Sequence, residues 1–178
     1  MSDSGKGYAM SIARDLSVFL TGVSFADISP QALQHAAMLI SSTVASAAAG
    51  SSIASASIIR DLSKDRGGTP EASIWFDSGA RLPACDAARV NAVMSDAAAS
   101  DDSDLRNIVH AGTPLVSTGL ALAELTGSTG QDVLAAIVLG YEASGRIGEA
   151  ITPVFQTRGF HGCLVAIFAG TVAASRLL

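Results

Sequence analysis

The sequence predicts an all-α fold: a helical bundle of about six or seven helices with at most a short strand pair. Three observations predict it. Apolar residues recur at helical spacing through most of the 178 residues. Helix start and stop signals punctuate the chain. The apolar content is 49% of the residues but only 5% are aromatic, so the core is built from Ala, Val, Ile and Leu, which let helices approach one another closely.

Residues 1–8 read as a loose end. A first helix is expected over about 9–22, with Ile12, Leu16, Phe19 and Leu20 on one face. In "DISPQALQHAAMLISSTVASAAAG", Ser29 supplies an N-cap, Pro30 suits the first helical position and Gly50 can end the helix. A shorter helix follows at about 52–64. Gly67, Gly68 and Pro70 then mark a turn, "ASIWF" has the β-branched and aromatic content of a short strand, and "SGARLPA" reads as another turn. The next helix runs from about Ala84 to Ala99, with Ala88, Val90, Val93 and Met94 available for burial.

"DDSDLRNIVHAGTP", residues 101–114, has no apolar period and is expected to begin as a loop. Thr113 and Pro114 open a helix reaching about Leu125. Thr129 followed by Asp132 forms a capping box for a helix that extends to about Ile151 and closes at Pro153. "TRGFHGCLVAIFAGTVAASRLL" is a final helix, apolar nearly all round. Such a helix wants burial on every side, which predicts neighbours from later sequence or from another chain. The organisation expected is therefore a loose terminus, 1–8, and a partial helical domain, 9–178.

The net charge is −5, and Lys6 and Lys64 are the only lysines. Without a basic cluster to neutralise phosphates, no nucleic-acid partner is expected. Cys85 and Cys163 lie far apart without metal-ligand spacing, so they are expected as buried thiols in a reducing compartment and no metal site is expected. The start of the chain lacks a signal-peptide pattern, and the apolar run 36–59 is rich in Ser and broken by Gly50. A soluble cytoplasmic protein with no membrane span is the expectation.

Asp101, Asp102 and Asp104 sit close before His110 in a chain that is only 15% charged. A carboxylate beside a histidine suits proton transfer near neutrality; the same residues also suit a solvated turn, with Arg106 as an ion-pair partner and an aspartate as a cap. "RGFHG" places His161 near the start of the last helix, where backbone N–H groups favour an anion, although a packed histidine beside Phe160 fits equally. Arg158 suits either a substrate carboxylate or the surface. His35 lies within the second helix and reads as structural. Gly140, Gly145 and Gly148 each cost a helix about 1 kcal/mol relative to Ala, which close helix–helix approach would offset. No P-loop, nucleophile elbow or dinucleotide fingerprint is present.

Taken together, "DAARVNAVMSDAAASDDSDL", "HAGTPLVSTGLALAELTGSTGQDVLAAIVLGYEASGRIGEAI" and "RGFHGCLVAIFAGTVAASRLL" resemble, in order and spacing over residues 25–178, the MmgE/PrpD family, which includes 2-methylcitrate dehydratase and cis-aconitate decarboxylase. The resemblance implies the first part of a large helical domain, with the rest of that domain and an α+β lid absent from this chain. It implies a dehydratase, decarboxylase or isomerase of small di- or tricarboxylic acids, working by acid–base chemistry with neither metal nor organic cofactor. His110 matches the family's loop histidine, Asp101 or Asp102 its aspartate pattern, and His161 the histidine ahead of the last helix; Asp104 falls where family members often place Thr. The candidate catalytic residues are thus Asp101, Asp102, Asp104, His110 and His161, with Arg158 and Thr113 as candidate substrate-binding residues. A homo-oligomer, or association with a chain carrying the rest of the fold, is implied. The alternative is a non-catalytic helical subunit or truncated scaffold that assembles with a partner.

Overall fold

The structure is a computed structural model that describes residues 4–151 and 154–178, with side chains from residue 12 onward apart from 152, 153, 155 and 156. Seven helices of 13 to 22 residues dominate the described residues: α1 Ser4–Gly22, α2 Pro30–Gly50, α3 Ala54–Arg66, α4 Ala84–Ala97, α5 Gly112–Thr126, α6 Gly130–Ile151 and, after the single turn α7 Val154–Thr157, α8 Cys163–Leu177. The fold is all-α, as the sequence predicts. Several boundaries differ: α1 already includes residues 4–8, which were expected as a loose end, α3 is shifted by two residues from the expected 52–64, and the stretch read as a final helix from Thr157 becomes α8 only at Cys163.

Local chemistry sets most of the remaining boundaries. The Ser29 hydroxyl accepts the Ala32 N–H at 3.2 Å and Pro30 occupies the first turn of α2. At the start of α6, Asp132 accepts the Thr129 N–H at 2.9 Å and the Thr129 hydroxyl at 2.7 Å, and its own N–H returns to Thr129 Oγ1 at 3.3 Å. Gly127 ends α5 in the left-handed region at φ 70°. The expected strand over 72–76 is shorter than "ASIWF" suggests. Two residues, β1 Ala72–Ser73, pair antiparallel with β2 Arg81–Leu82. The ladder stops because Asn91 of α4 takes over the backbone: its Oδ1 accepts the Trp75 N–H at 2.9 Å and its Nδ2 donates to the Ser73 carbonyl at 3.0 Å.

The core has two parts. Leu115 and Val116 of α5, Ile137 of α6, and Val165, Ala169 and Ala173 of α8 form one. Ile74, Leu82, Val90 and Met94 with Ala47 and Ala56 form the other, and Trp75 and Leu122 touch both. Small residues set the helix spacing. A Cβ at Gly50 would collide with the Met94 carbonyl oxygen, and one at Gly140 with Leu115 Cδ1, at 2.8 Å from the Ala169 carbonyl oxygen. Gly50 thus lets α2 close on α4, and Gly140 lets α6 close on α5 and α8. A Cβ at Gly148 would lie 2.9 Å from the Asn107 side chain, whereas one at Gly145 would have open space around it.

Burial bears on two expectations. The last helix buries one side only: Val165, Ala166, Ala169, Ala173 and Leu177 are buried, but Leu164, Ile167 and Phe168 are exposed, the open outer side that calls for a neighbour beyond these helices. Both thiols, expected buried, are exposed as well, because Cys85 lies on the outer face of α4 and Cys163 at the mouth of a cleft. Among the described residues no single helix is long and apolar enough to cross a membrane; α2 and α3 qualify only as a pair, and the chain bends by 92° between them.

Candidate active site

The segment joining α4 to α5 is a loop, closed on itself by one isolated antiparallel bridge. The Asp104 N–H donates to the Val109 carbonyl at 2.8 Å and the Val109 N–H returns to Asp104 at 3.3 Å. The Asp104 carboxylate holds the turn inside that bridge, accepting the Arg106 N–H at 3.0 Å and the Asn107 Nδ2–H at 2.6 Å. Residues 101–103 and 110–111 form the two stems. They bring Asp101 and Asp102 alongside His110, although eight or nine residues separate them in the chain.

His110 Nδ1 lies 2.8 Å from the Asp102 carbonyl oxygen and 3.2 Å from Asp101 Oδ2. Both neighbours are acceptors, so Nδ1 carries a hydrogen and Nε2 of the neutral ring is the basic nitrogen. The Asp101 side chain is only 7% exposed, while His110 is open to solvent. Thr113, in the first turn of α5, lies with its hydroxyl 3.5 Å from Asp101 Oδ2 and 2.8 Å from the buried Ser95 hydroxyl. A file of Ser95, Thr113 and Asp101 therefore backs the histidine.

His161 comes from the turn before α8. Its Nδ1 accepts the Cys163 N–H at 3.2 Å, capping that helix, so the hydrogen of the neutral ring sits on Nε2. Gly162 beside it is buried against the 104–109 turn, where a Cβ would collide with the Ile108 carbonyl oxygen. This contact sets the His161 turn against the acidic loop. Asp101, His110, Thr113 and His161 line one open cleft of about 600 Å³, with Ile167, Gly170 and Ala174 of α8 in its wall.

The structure does not bring every expected residue to this cleft. Asp102 is turned into the protein, with Asp101 but not Asp102 on the cleft wall. Asp104 lines a separate charged groove with Arg106, Asn107, Glu142, Arg146 and Glu149. Arg158 is exposed and is not part of the cleft wall. Among the described residues the cleft wall contains no Lys or Arg, and no group of His, Cys, Asp and Glu has the arrangement of a metal site.

A family model, the MmgE/PrpD N-terminal domain, matches residues 14–178. The chain belongs to the MmgE/PrpD family. No curated protein matches it. In this MmgE/PrpD chain two residues stand out at the site to which the sequence assigned no role. Asp96, near the end of α4, adds a second carboxylate to the cleft wall; its place in the motif "MSDAAAS" looks like an ordinary exposed helix position. Tyr141 of α6 donates its hydroxyl hydrogen to Asp102 Oδ2, while Asp102 Oδ1 accepts the Gly112 N–H at 2.9 Å. The sequence places Tyr141 only in mid-helix, and the 39 residues between the partners hide the pairing.

Burial raises the Asp102 carboxyl above its ordinary value, against the opposing hydrogen bonds from Tyr141 and Gly112. Burial also drives the Tyr141 hydroxyl far up, with the Asp102 charge adding to it, so Tyr141 stays a hydrogen-bond donor at any physiological pH. The MmgE/PrpD loop thus presents one face with His110 and Asp101 to the cleft and anchors itself through Asp102 on the other.

Proposed function

We propose that this chain supplies the acid–base wall of a lyase or isomerase that acts on a small di- or tricarboxylic acid. The observation that carries the reading is His110, held at Nδ1 between two acceptors and sharing a cleft with His161. A neutral imidazole nitrogen next to a carboxylic acid substrate takes the proton from the carbon beside the carboxylate. The electron pair left behind expels a hydroxyl, which departs as water after protonation. In a decarboxylation the pair comes instead from the breaking C–CO2 bond, and an acid protonates the carbon. In an epimerisation the proton returns to the opposite face. His110 fits the base and His161 the second proton carrier, with Asp101 and Thr113 backing His110. As the family resemblance implies, this chemistry uses neither metal nor organic cofactor.

Such substrates carry two or three negative charges, which need cations nearby. The described cleft wall offers carboxylates and histidines instead. The reading therefore assigns the carboxylate-binding groups to the rest of the MmgE/PrpD fold or to an associated chain. This chain alone is expected to show no turnover of aconitate-like acids, and adding a C-terminal half should restore it. In the completed enzyme, His110→Ala should lower kcat on the order of 10² to 10⁴-fold and leave the helical circular dichroism unchanged. A near-normal rate in that variant would overturn the assignment.

The exposed apolar residues Leu164, Ile167 and Phe168 on α8 favour a second reading, a helical subunit without catalysis of its own that assembles with a partner. Assembly with that partner and an absence of turnover on every acid tried would favour this reading over the first.

A further inference from the structure

The hydrogen bond that orients His110 ends on a backbone carbonyl, and a backbone carbonyl is only as fixed as the residue that bears it. At Asp102 three contacts do the fixing. Tyr141 donates to Oδ2, the Gly112 N–H donates to Oδ1 at 2.9 Å, and the carboxylate packs so tightly on Gly112 that a Cβ there would collide with Oδ1. Tyr141 in turn sits on α6, which Gly140 and Ile137 pack against α5 and α8. A rigid helix therefore reaches through Asp102 to the peptide that receives the His110 Nδ1–H at 2.8 Å.

We propose that Tyr141 and Asp102 form a positioning pair that holds His110 as its Nδ1–H tautomer, with Nε2 as the basic nitrogen. Neither residue touches the cleft through its reactive atoms; both act through the carbonyl of residue 102. The pair explains why a buried carboxylate is kept here at all. A carboxylate taken out of water needs donors on both oxygens, and this one has them, from α6 and from the start of α5. Asp101 completes the hold on Nδ1 from the cleft side at 3.2 Å. As a statement about catalysis the proposal rests on His110 being the base; as a statement about the tautomer it does not.

The test uses long-range ¹H–¹⁵N correlation spectra of the 178-residue chain, which has three histidines, His35, His110 and His161, assigned by His→Gln substitution. In the neutral ring, His110 should show a protonated Nδ1 and a bare Nε2. In Tyr141→Phe and in Asp102→Ala the His110 signals should move to a mixture of tautomers, while those of His161 stay in place. Asp102→Asn retains an acceptor for Gly112 and a polar partner for Tyr141, and should keep the wild-type tautomer. A bare Nδ1 in the unsubstituted chain overturns the proposal, whether or not any variant folds. So does an unchanged His110 in Tyr141→Phe. Normal turnover by His110→Ala in the completed enzyme would remove the catalytic reading while leaving the tautomer result as it stands.

Discussion

At the scale of single residues, the acidic loop divides its three aspartates among three tasks. Asp101 faces the cleft with His110, Asp102 anchors the loop to α6, and Asp104 holds the turn. The sequence groups Asp101 with His110 and sets His161 near the start of the last helix, and the structure lines one cleft with all three. The sequence did not separate the aspartates, since their roles depend on which side of a two-stemmed loop each one faces. A pH experiment separates them. The Asp102 carboxyl is raised by burial above its ordinary value of 3.8, so the folded protein binds that proton more tightly than the unfolded chain. Its contribution to stability is full below that value and is lost as the pH rises through the raised one. The stability difference between wild type and Asp102→Asn, measured by urea unfolding from about pH 3 to about pH 7, should therefore shift against the wild type as the pH climbs. A difference that stays flat across that range would contradict the burial argument.

At the scale of elements, caps and glycines repaid close reading. The Ser29 cap, the Thr129–Asp132 box and the Gly127 stop stand where the residue types place them. Ser29→Ala should destabilise by about 1 kcal/mol, read from the urea midpoint. The glycines of α6 look alike in sequence and differ in structure. Gly140→Ala forces a methyl into Leu115 and the Ala169 carbonyl and should cost roughly 1–3 kcal/mol through overpacking. A Cβ added at Gly145 would meet no atom within 4 Å, so Gly145→Ala should stabilise by about 0.5–1 kcal/mol through helix propensity. Thermal unfolding of the two variants should thus move in opposite directions. Nothing in the local pattern distinguishes these two positions, because the difference lies in what α5 and α8 bring to each. The short strand was over-read for a related reason: "ASIWF" has strand chemistry, but Asn91, 16 residues on, takes the Trp75 N–H.

At the scale of the whole molecule, the class of the fold followed from composition, since small apolar residues at helical spacing leave few alternatives. The apolar α8 calls for neighbours from later sequence or another chain, and in this chain its outer side meets solvent at Leu164, Ile167 and Phe168. Ile167→Ser should accordingly change the stability of the isolated chain by no more than about 0.5 kcal/mol. Leu115→Ala in the buried centre should cost about 2–5 kcal/mol by comparison. Equal losses in the two variants, measured by urea unfolding, would mean that α8 is covered in solution.

The close seating of Gly162 beneath Ile108 has a consequence for how such a protein diversifies. It works as a rivet between the two turns that carry the histidines, so neither turn can be lengthened or re-angled without dragging the other along. If the cleft holds the substrate as proposed, new preferences are then most easily reached by editing its α8 lining, at Ile167, Thr171 and Ala174, where a side chain can change size while both imidazoles stay where they are.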